Sequence, residues 1–157
     1  SKSSNAQHIL DKQKGLKDYF DKNAEGKIKV VSYGFEDFDK KNKLRTFIEE
    51  KFSQHPNIRG VFVANSRAYK LIESIEGTAW EALRIVGFDL IEPNLKYLNQ
   101  GKIEFLINQR PMLQAYHGIL NIADHLILKK TIEREHYLPL DIVVKENVAY
   151  YLEREVK

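Results

Sequence analysis

The clearest pattern along the chain is a pair of short apolar runs, each stopping on a polar residue. Ile58-Arg-Gly-Val-Phe-Val-Ala64 ends at Asn65-Ser66, and Leu83-Arg-Ile-Val-Gly-Phe88 ends at Asp89. Between them Ala68, Leu71, Ile72 and Ile75 recur at helical spacing. Short apolar runs bounded by polar stops fit buried strands, and the 3.6-residue period between them fits a covering helix. The unit expected over residues 59–89 is therefore strand, helix, strand, with the two strands parallel. That arrangement sets Asn65 and Asp89 side by side at the carboxyl ends of the strands, the edge where open α/β sheets bind ligands.

The remaining pattern extends the unit in both directions. Ile9, Leu10, Leu16 and Phe20 predict a helix over residues 5–23, with Ser4 or Asn5 as its N-cap and Gly15 at a close approach. Residues 27–32 read as a strand, followed by the aromatic and acidic loop Tyr33-Gly-Phe-Glu-Asp-Phe38. Leu44, Phe47, Ile48 and Phe52 mark the buried stripe of a helix over residues 40–53. After Asp89, Pro93 and Gly101 bracket a short helix. Residues 103–107 form the next strand, which ends in Asn108-Gln109 and meets Pro111 at the start of the longest helix, residues 111–130. That helix carries a wide apolar stripe (Met112, Ala115, Tyr116, Ile119, Ile122, Ala123, Leu126, Ile127), which predicts burial against more than one neighbour. A late strand is expected over residues 138–144, extended or followed by residues 147–152. Alternation of this kind predicts an α/β fold of three αβα layers around a mainly parallel sheet with right-handed crossovers.

Composition narrows the partners. The 157 residues fit one domain with a sizeable core. The 25 basic and 22 acidic residues are interspersed, and a net charge of +3 is too small for a nucleic-acid footprint. Without cysteine, disulfides, thiolate metal sites and cysteine nucleophiles are excluded, which fits a reducing cytoplasm. No apolar run approaches the ~20 residues of a membrane span, and no membrane partner is expected. The phosphate-loop, nucleophile-elbow and zinc-protease motifs are all missing. His117 and His125 lie too far apart on one helix to chelate a single ion, and no metal or cofactor is expected.

What remains is a polar set at strand ends: Asn65, Ser66, Asp89, Asn108 and Gln109. Ser66 also reads as an N-cap for the helix that follows it. Asp89 and Gln109 each follow a buried strand and precede a turn, so their side chains are expected in the crevice. A carboxylate with amides can both accept from and donate to hydroxyl groups, as a polyol requires. Phe35, Phe38 and Tyr33 follow another strand end and are candidates for the aromatic face such a ligand needs.

These residues also carry a family likeness. Val61-Phe-Val-Ala-Asn65-Ser-Arg-Ala68, then Ile85-Val-Gly-Phe-Asp89, then Leu106-Ile-Asn-Gln109-Arg-Pro resemble the effector-binding domain of lactose/galactose-repressor-type transcription regulators, which has the type I periplasmic sugar-binding-protein fold. Lys12-Gln-Lys-Gly15-Leu resembles that family's R-x-x-G-F segment. The likeness covers almost the whole chain in order. It implies that Asp89 and Asn65 bond effector hydroxyls, that Gln109 sits at the crossover between two lobes, and that Lys12 stands where the family places a ligand-clamping Arg. Two positions depart from the pattern: Ser66 replaces the usual Asp, and Lys12 lacks the bidentate fork of Arg.

The resemblance further implies that residues 1–157 are a fragment of an effector-binding domain, mostly its C-terminal lobe. Residues 110–131 would then be a helix belonging to a missing N-terminal lobe. Its apolar face would need another cover, either a second copy of the chain or more of the same chain. The function implied is non-enzymatic: sensing of a carbohydrate effector by a cytoplasmic homodimer that meets DNA only through a helix-turn-helix absent from this chain. Two rivals stand beside it. One is an extracytoplasmic sugar-binding protein or sensor of the same fold. The other is a small α/β enzyme with Asp89 as its base.

Overall fold

The computed structural model describes residues 7–24, 26–133 and 135–152. The proposed cap at Ser4 or Asn5 lies outside the described residues. In chain order the elements are α1 (Gln7–Asn23), α2 (Lys41–Gln54), β1 (Gly60–Phe62), α3 (Ala68–Ile75), β2 (Arg84–Phe88), α4 (Glu92–Asn99), β3 (Phe105–Asn108), α5 (Pro111–Leu128), β4 (Asp141–Val143) and α6 (Val148–Leu152). The sheet order is β1-β2-β3-β4, with β1, β2 and β3 parallel and β4 antiparallel to β3.

One face of the sheet carries the core. Ile85 of β2, Leu106 of β3 and Val143 of β4 are buried against Leu44, Ile48 and Phe52 of α2, Leu71, Ile72 and Ile75 of α3, and Leu98 of α4. Alternation along each strand produces this face: Gly87, Leu106 and Val143 are register partners across three strands, and all are buried on the helix side. Phe88 is also fully buried but points the other way, edge-on to Phe62 and beneath Lys12 of α1. Helices thus meet both faces, α1 through that contact and α2, α3 and α4 through the core.

Several expectations change. Residues 27–32 form no strand. Beside a β1 only three residues long they gain little by pairing, and Ile28 and Val31 remain 51% and 40% exposed. The following loop is instead anchored to α2, with Phe35 stacked on Phe47 at 4.7 Å between ring centres. The last strand runs antiparallel for a simple reason. The chain leaves the sheet after Asn108, runs out and back through α5 and residues 129–140, and re-enters at Asp141, the register partner of Asn108. A parallel strand would have to enter from the opposite edge. Residues 138–140, expected in the strand, lie before it. Residues 148–152 are a short helix rather than a strand extension. Asn147 starts it by accepting the Val144 N–H at 2.9 Å and donating to the Ile142 carbonyl at 3.2 Å.

The largest difference concerns α5. It forms over nearly the expected range, yet none of its residues is buried, and Met112, Ile119 and Ile127 are 74%, 71% and 75% exposed. Burial of its wide stripe is not supplied by the described residues. A large apolar side chain left in water forgoes roughly 1.5–3 kcal/mol, so the face is costly as it stands.

Candidate functional site

Three parallel strands in spatial order β1, β2, β3 bring their carboxyl ends to one rim. At its centre is Asp89, whose backbone adopts a left-handed conformation (φ 69°) and whose N–H reaches the Ile107 carbonyl of β3 at 3.1 Å. Aspartate tolerates that region better than most side chains. The turn ends β2 abruptly and directs the carboxylate toward β3. There Gln109 donates its side-chain N–H to Asp89 Oδ1 at 2.8 Å. The two residues most expected to share a crevice are therefore hydrogen-bonded to each other.

Lys12 arrives from α1. Its Nζ lies 3.7 Å from the centre of the Phe88 ring and donates to the Ala64 carbonyl at 3.3 Å, bridging the ends of β2 and β1. Burial pushes the Lys12 ammonium below its ordinary pKa, and the nearby Asp89 charge opposes that shift. Lys12 thus belongs to the rim although it is 77 residues from Asp89 in sequence.

Asn65 and Ser66 are both engaged in the turn into α3. The side-chain oxygen of Asn65 accepts the Arg67 N–H at 2.9 Å and closes the turn into α3. Ser66 makes no capping bond: the N-cap position is Arg67, and it has no side-chain cap. The capping role expected of Ser66 is therefore not the one it plays. What the Ser66 backbone contributes is a carbonyl taken by Asn94 at 3.0 Å.

The aromatic candidates separate. Phe38 flanks the rim, with the Arg67 guanidinium 5.8 Å above its ring. Phe35 packs edge-on to Phe38 and stacks on Phe47, so its ring is engaged with α2. Tyr33 lies elsewhere, bonded to His55 at 2.6 Å near the amino end of β1. A separate shallow depression of about 420 Å³ lies between α5 and residues 136–138, lined by Gln114, His117, Asn121 and His136 among others. Among the described residues no group of three or more His, Cys, Asp and Glu side chains is placed to hold a metal.

Sequence reasoning missed Asn94. It is fully buried, and its amide joins the β1 and β2 ends of the rim to α3. Its side-chain nitrogen donates to the carbonyls of Ser66 (3.0 Å), Phe88 (2.9 Å) and Asp89 (3.2 Å), while its oxygen accepts the Tyr69 N–H of α3 at 3.0 Å. The available signal was a polar residue at the start of a helix beside Pro93, which is also how an exposed turn looks.

At the far side of the rim Arg110 forms a two-pronged ion pair with Asp141, each contact 2.6 Å. The guanidinium holds the Asp141 carboxyl below its usual pKa, against the effect of burial. A depressed folded-state pKa adds stability that is fully present above the unfolded value of about 3.9 and is lost as pH falls through the folded value. In melting experiments between pH 7 and pH 3, the stability gap between the natural chain and Asp141→Asn is therefore expected to be widest near neutrality and to shrink below about pH 4. A gap constant down to pH 3 would contradict the ion pair.

Residues 1–130 match the family model described as a periplasmic binding protein domain. The match spans most of the chain, and the chain belongs to that family. Among solved structures it is similar to a protein from Bacteroides fragilis assigned as a LacI transcriptional regulator, at 33% identity and a TM-score of 0.60 over 68% of this chain and 37% of that one. An ABC transporter solute-binding protein from Agrobacterium vitis bound with α-D-tagatopyranose shares 24% identity and a TM-score of 0.75, over 89% and 46% of the two chains. A periplasmic ribose ABC transporter protein from Conexibacter woesei shares 17% identity and a TM-score of 0.76, over 95% and 50%. At those two identities the likeness concerns the fold. The chain spans half or less of the length of each of these structures. No curated protein matches it. The family is broader than the repressor class that the sequence resembles, since regulators and transport proteins both stand among the similar structures.

Proposed function

We propose that this chain supplies one wall of a carbohydrate-binding site, and that the whole protein is the sensor of a sugar-responsive transcription regulator. The observation that carries the reading is the Asp89–Gln109 pair with Lys12 beside it, at the carboxyl rim of three parallel strands. A carboxylate accepts from sugar hydroxyls, and the amide and the ammonium donate to them. Phe38 flanks the rim with an apolar ring. Nothing in this set is a nucleophile paired with a base, so a binding role suits it better than turnover.

The regulator reading draws on the 33% identity to the protein assigned as a LacI regulator and on the motif likeness. In that reading the effector lies between two lobes and shifts DNA affinity by binding one conformation better than the other. The exposed stripe of α5 would meet the second lobe or a second copy. The homodimer, the separate DNA-binding segment and the cytoplasmic location all belong to the same proposal. A transport role is the second reading, favoured by solved relatives bound to α-D-tagatopyranose and D-allose. DNA retention by the full-length protein that changes with sugar separates the two.

The direct test is a thermal-shift screen of mono- and disaccharides. At a ligand concentration 100 times Kd, binding to the folded state alone adds about 2.7 kcal/mol, which is roughly 5–11 °C for a chain of this size. Asp89→Ala is expected to abolish the shift while leaving the unliganded melting point within a few degrees. A sugar-dependent shift retained in Asp89→Ala would remove Asp89 from the site.

A further inference from the structure

Two of the three non-glycine residues with left-handed backbone among the described residues flank the rim: Asp89 (φ 69°) and Arg110 (φ 52°). Asp89 is explained by its place in the site. Arg110 is not, and its side chain has a different partner. We propose that Arg110 is a positioning residue, which Asp141 clamps so that the turn after β3 delivers the Gln109 amide to Asp89.

The geometry is continuous from one end to the other. β3 and β4 end in register, Asn108 opposite Asp141. The Asn108 side-chain oxygen accepts the Arg110 N–H at 3.1 Å, closing a tight turn around Gln109. The Asn108 amide also leans on Asp141 at 3.4 Å. The Arg110 Nε and Nη2 each reach an oxygen of Asp141 at 2.6 Å, a planar fork on a carboxylate whose side chain is only 10% exposed. An arginine without a partner would relax from the left-handed region, where its Cβ is crowded. The fork over-determines the conformation and keeps it there.

Gln109 is thereby held from both sides. Its carbonyl accepts the Gln114 side-chain N–H from the first turn of α5 at 2.6 Å, and its amide is free to turn out of the pleat toward Asp89. The same turn sets the direction in which α5 leaves the sheet, because Arg110 is the N-cap residue of α5. One ion pair therefore fixes both the orientation of a rim amide and the exit angle of the helix beyond it. Lysine would keep the charge but lose the fork that defines the geometry.

The experiment reads the Gln109 side-chain amide of the full chain by two-dimensional NMR, assigned from its disappearance in Gln109→Ala. Asp89→Ala defines where the signal falls when its acceptor is missing. In Arg110→Gln the signal is expected to move most of the way to that position, with Arg110→Lys intermediate. Arg84→Gln, which breaks the exposed Arg84–Glu104 pair at the opposite edge, should leave it unmoved. A signal unchanged in Arg110→Gln, even with a lower melting point, would overturn the proposal, because a purely stabilising ion pair lowers stability without reorienting Gln109. The second arm rests on the carbohydrate reading. With D-ribose, D-allose and D-tagatose as probes, below the melting point of every variant, Arg110→Gln should weaken affinity about tenfold or more, with partial recovery in Arg110→Lys. Unchanged sugar affinity would also count against it. If the natural chain binds none of the three sugars, the carbohydrate reading suffers and the NMR signal alone decides this one.

Discussion

Replacing Asn94 by alanine is expected to lower folding stability by about 3 kcal/mol, the largest loss from any single polar side chain of the rim. The side chain is fully buried and makes four hydrogen bonds, three given and one received. Alanine removes the partner and leaves the Tyr69 N–H and three carbonyls to find others. Leaving a buried group unpaired costs roughly 1–3 kcal/mol, and the cavity left by the lost amide adds to it. For a chain of this length the melting point should fall by roughly 6–12 °C. Asn94→Asp is a useful contrast, because it keeps the shape but turns the donor into an acceptor facing three carbonyl oxygens. It should be worse than alanine at neutral pH and recover part of its stability in acid, where the carboxyl is protonated. Urea unfolding of the variants measures both effects. A loss below about 1 kcal/mol for Asn94→Ala would show that the rim is held by the sheet alone.

The second large effect concerns Gly87, at the middle of the Val-Gly-Phe-Asp segment. A Cβ there would lie 2.7 Å from the Cβ of Ala68 and 3.3 Å from a methyl of Leu106. The Ala68 Cβ is fixed to the first turn of α3 and cannot swing aside. Gly87→Ala must therefore push α3 off the sheet, and overpacking of this kind costs about 1–3 kcal/mol. Gly87→Val should be near the limit of foldability. A compensating change is available: Ala68→Gly removes the obstructing methyl at a helix cost of about 1 kcal/mol. In a double-mutant cycle the pair should be coupled, the double variant being more stable than the sum of the single losses implies. Additive losses would mean that the close approach of α3 to β2 is not what requires glycine here.

Gly87 and Asn94 mark what was and what was not legible in the sequence. Gly87 and Asp89 belong to a run whose apolar character and polar stop were legible, because a short apolar run bounded by polar stops fits a buried strand. That the two strands flanking α3 are parallel neighbours followed from the same signature. The convergence of Asn65, Asp89 and Gln109 at one rim was legible too, since it follows from direction and order alone. What sequence could not supply is which side chain bonds which. Asn65, not Ser66, closes the turn into α3, because its side chain is one residue further from the Arg67 N–H and spans the turn, and no side chain caps the helix itself. Asn94 acts through four partners, two of them more than twenty residues away in sequence, so no local pattern marks it. Residues 27–32 misled because a β-prone composition forms a strand only when an edge rewards pairing, and Ile28 and Val31 stay in water. The helix expected over residues 111–130 forms as Pro111–Leu128, whereas its burial depends on contacts that periodicity cannot locate.

The rim is where a sugar should land. Backbone amide shifts of the full chain, followed by NMR while D-ribose, D-allose or D-tagatose is added, test that most directly. The expected result is a saturable set of changes confined to residues 64–67, 88–90 and 108–110 together with Lys12. Changes confined instead to the depression between α5 and residues 136–138, with the rim silent at saturation, would contradict it.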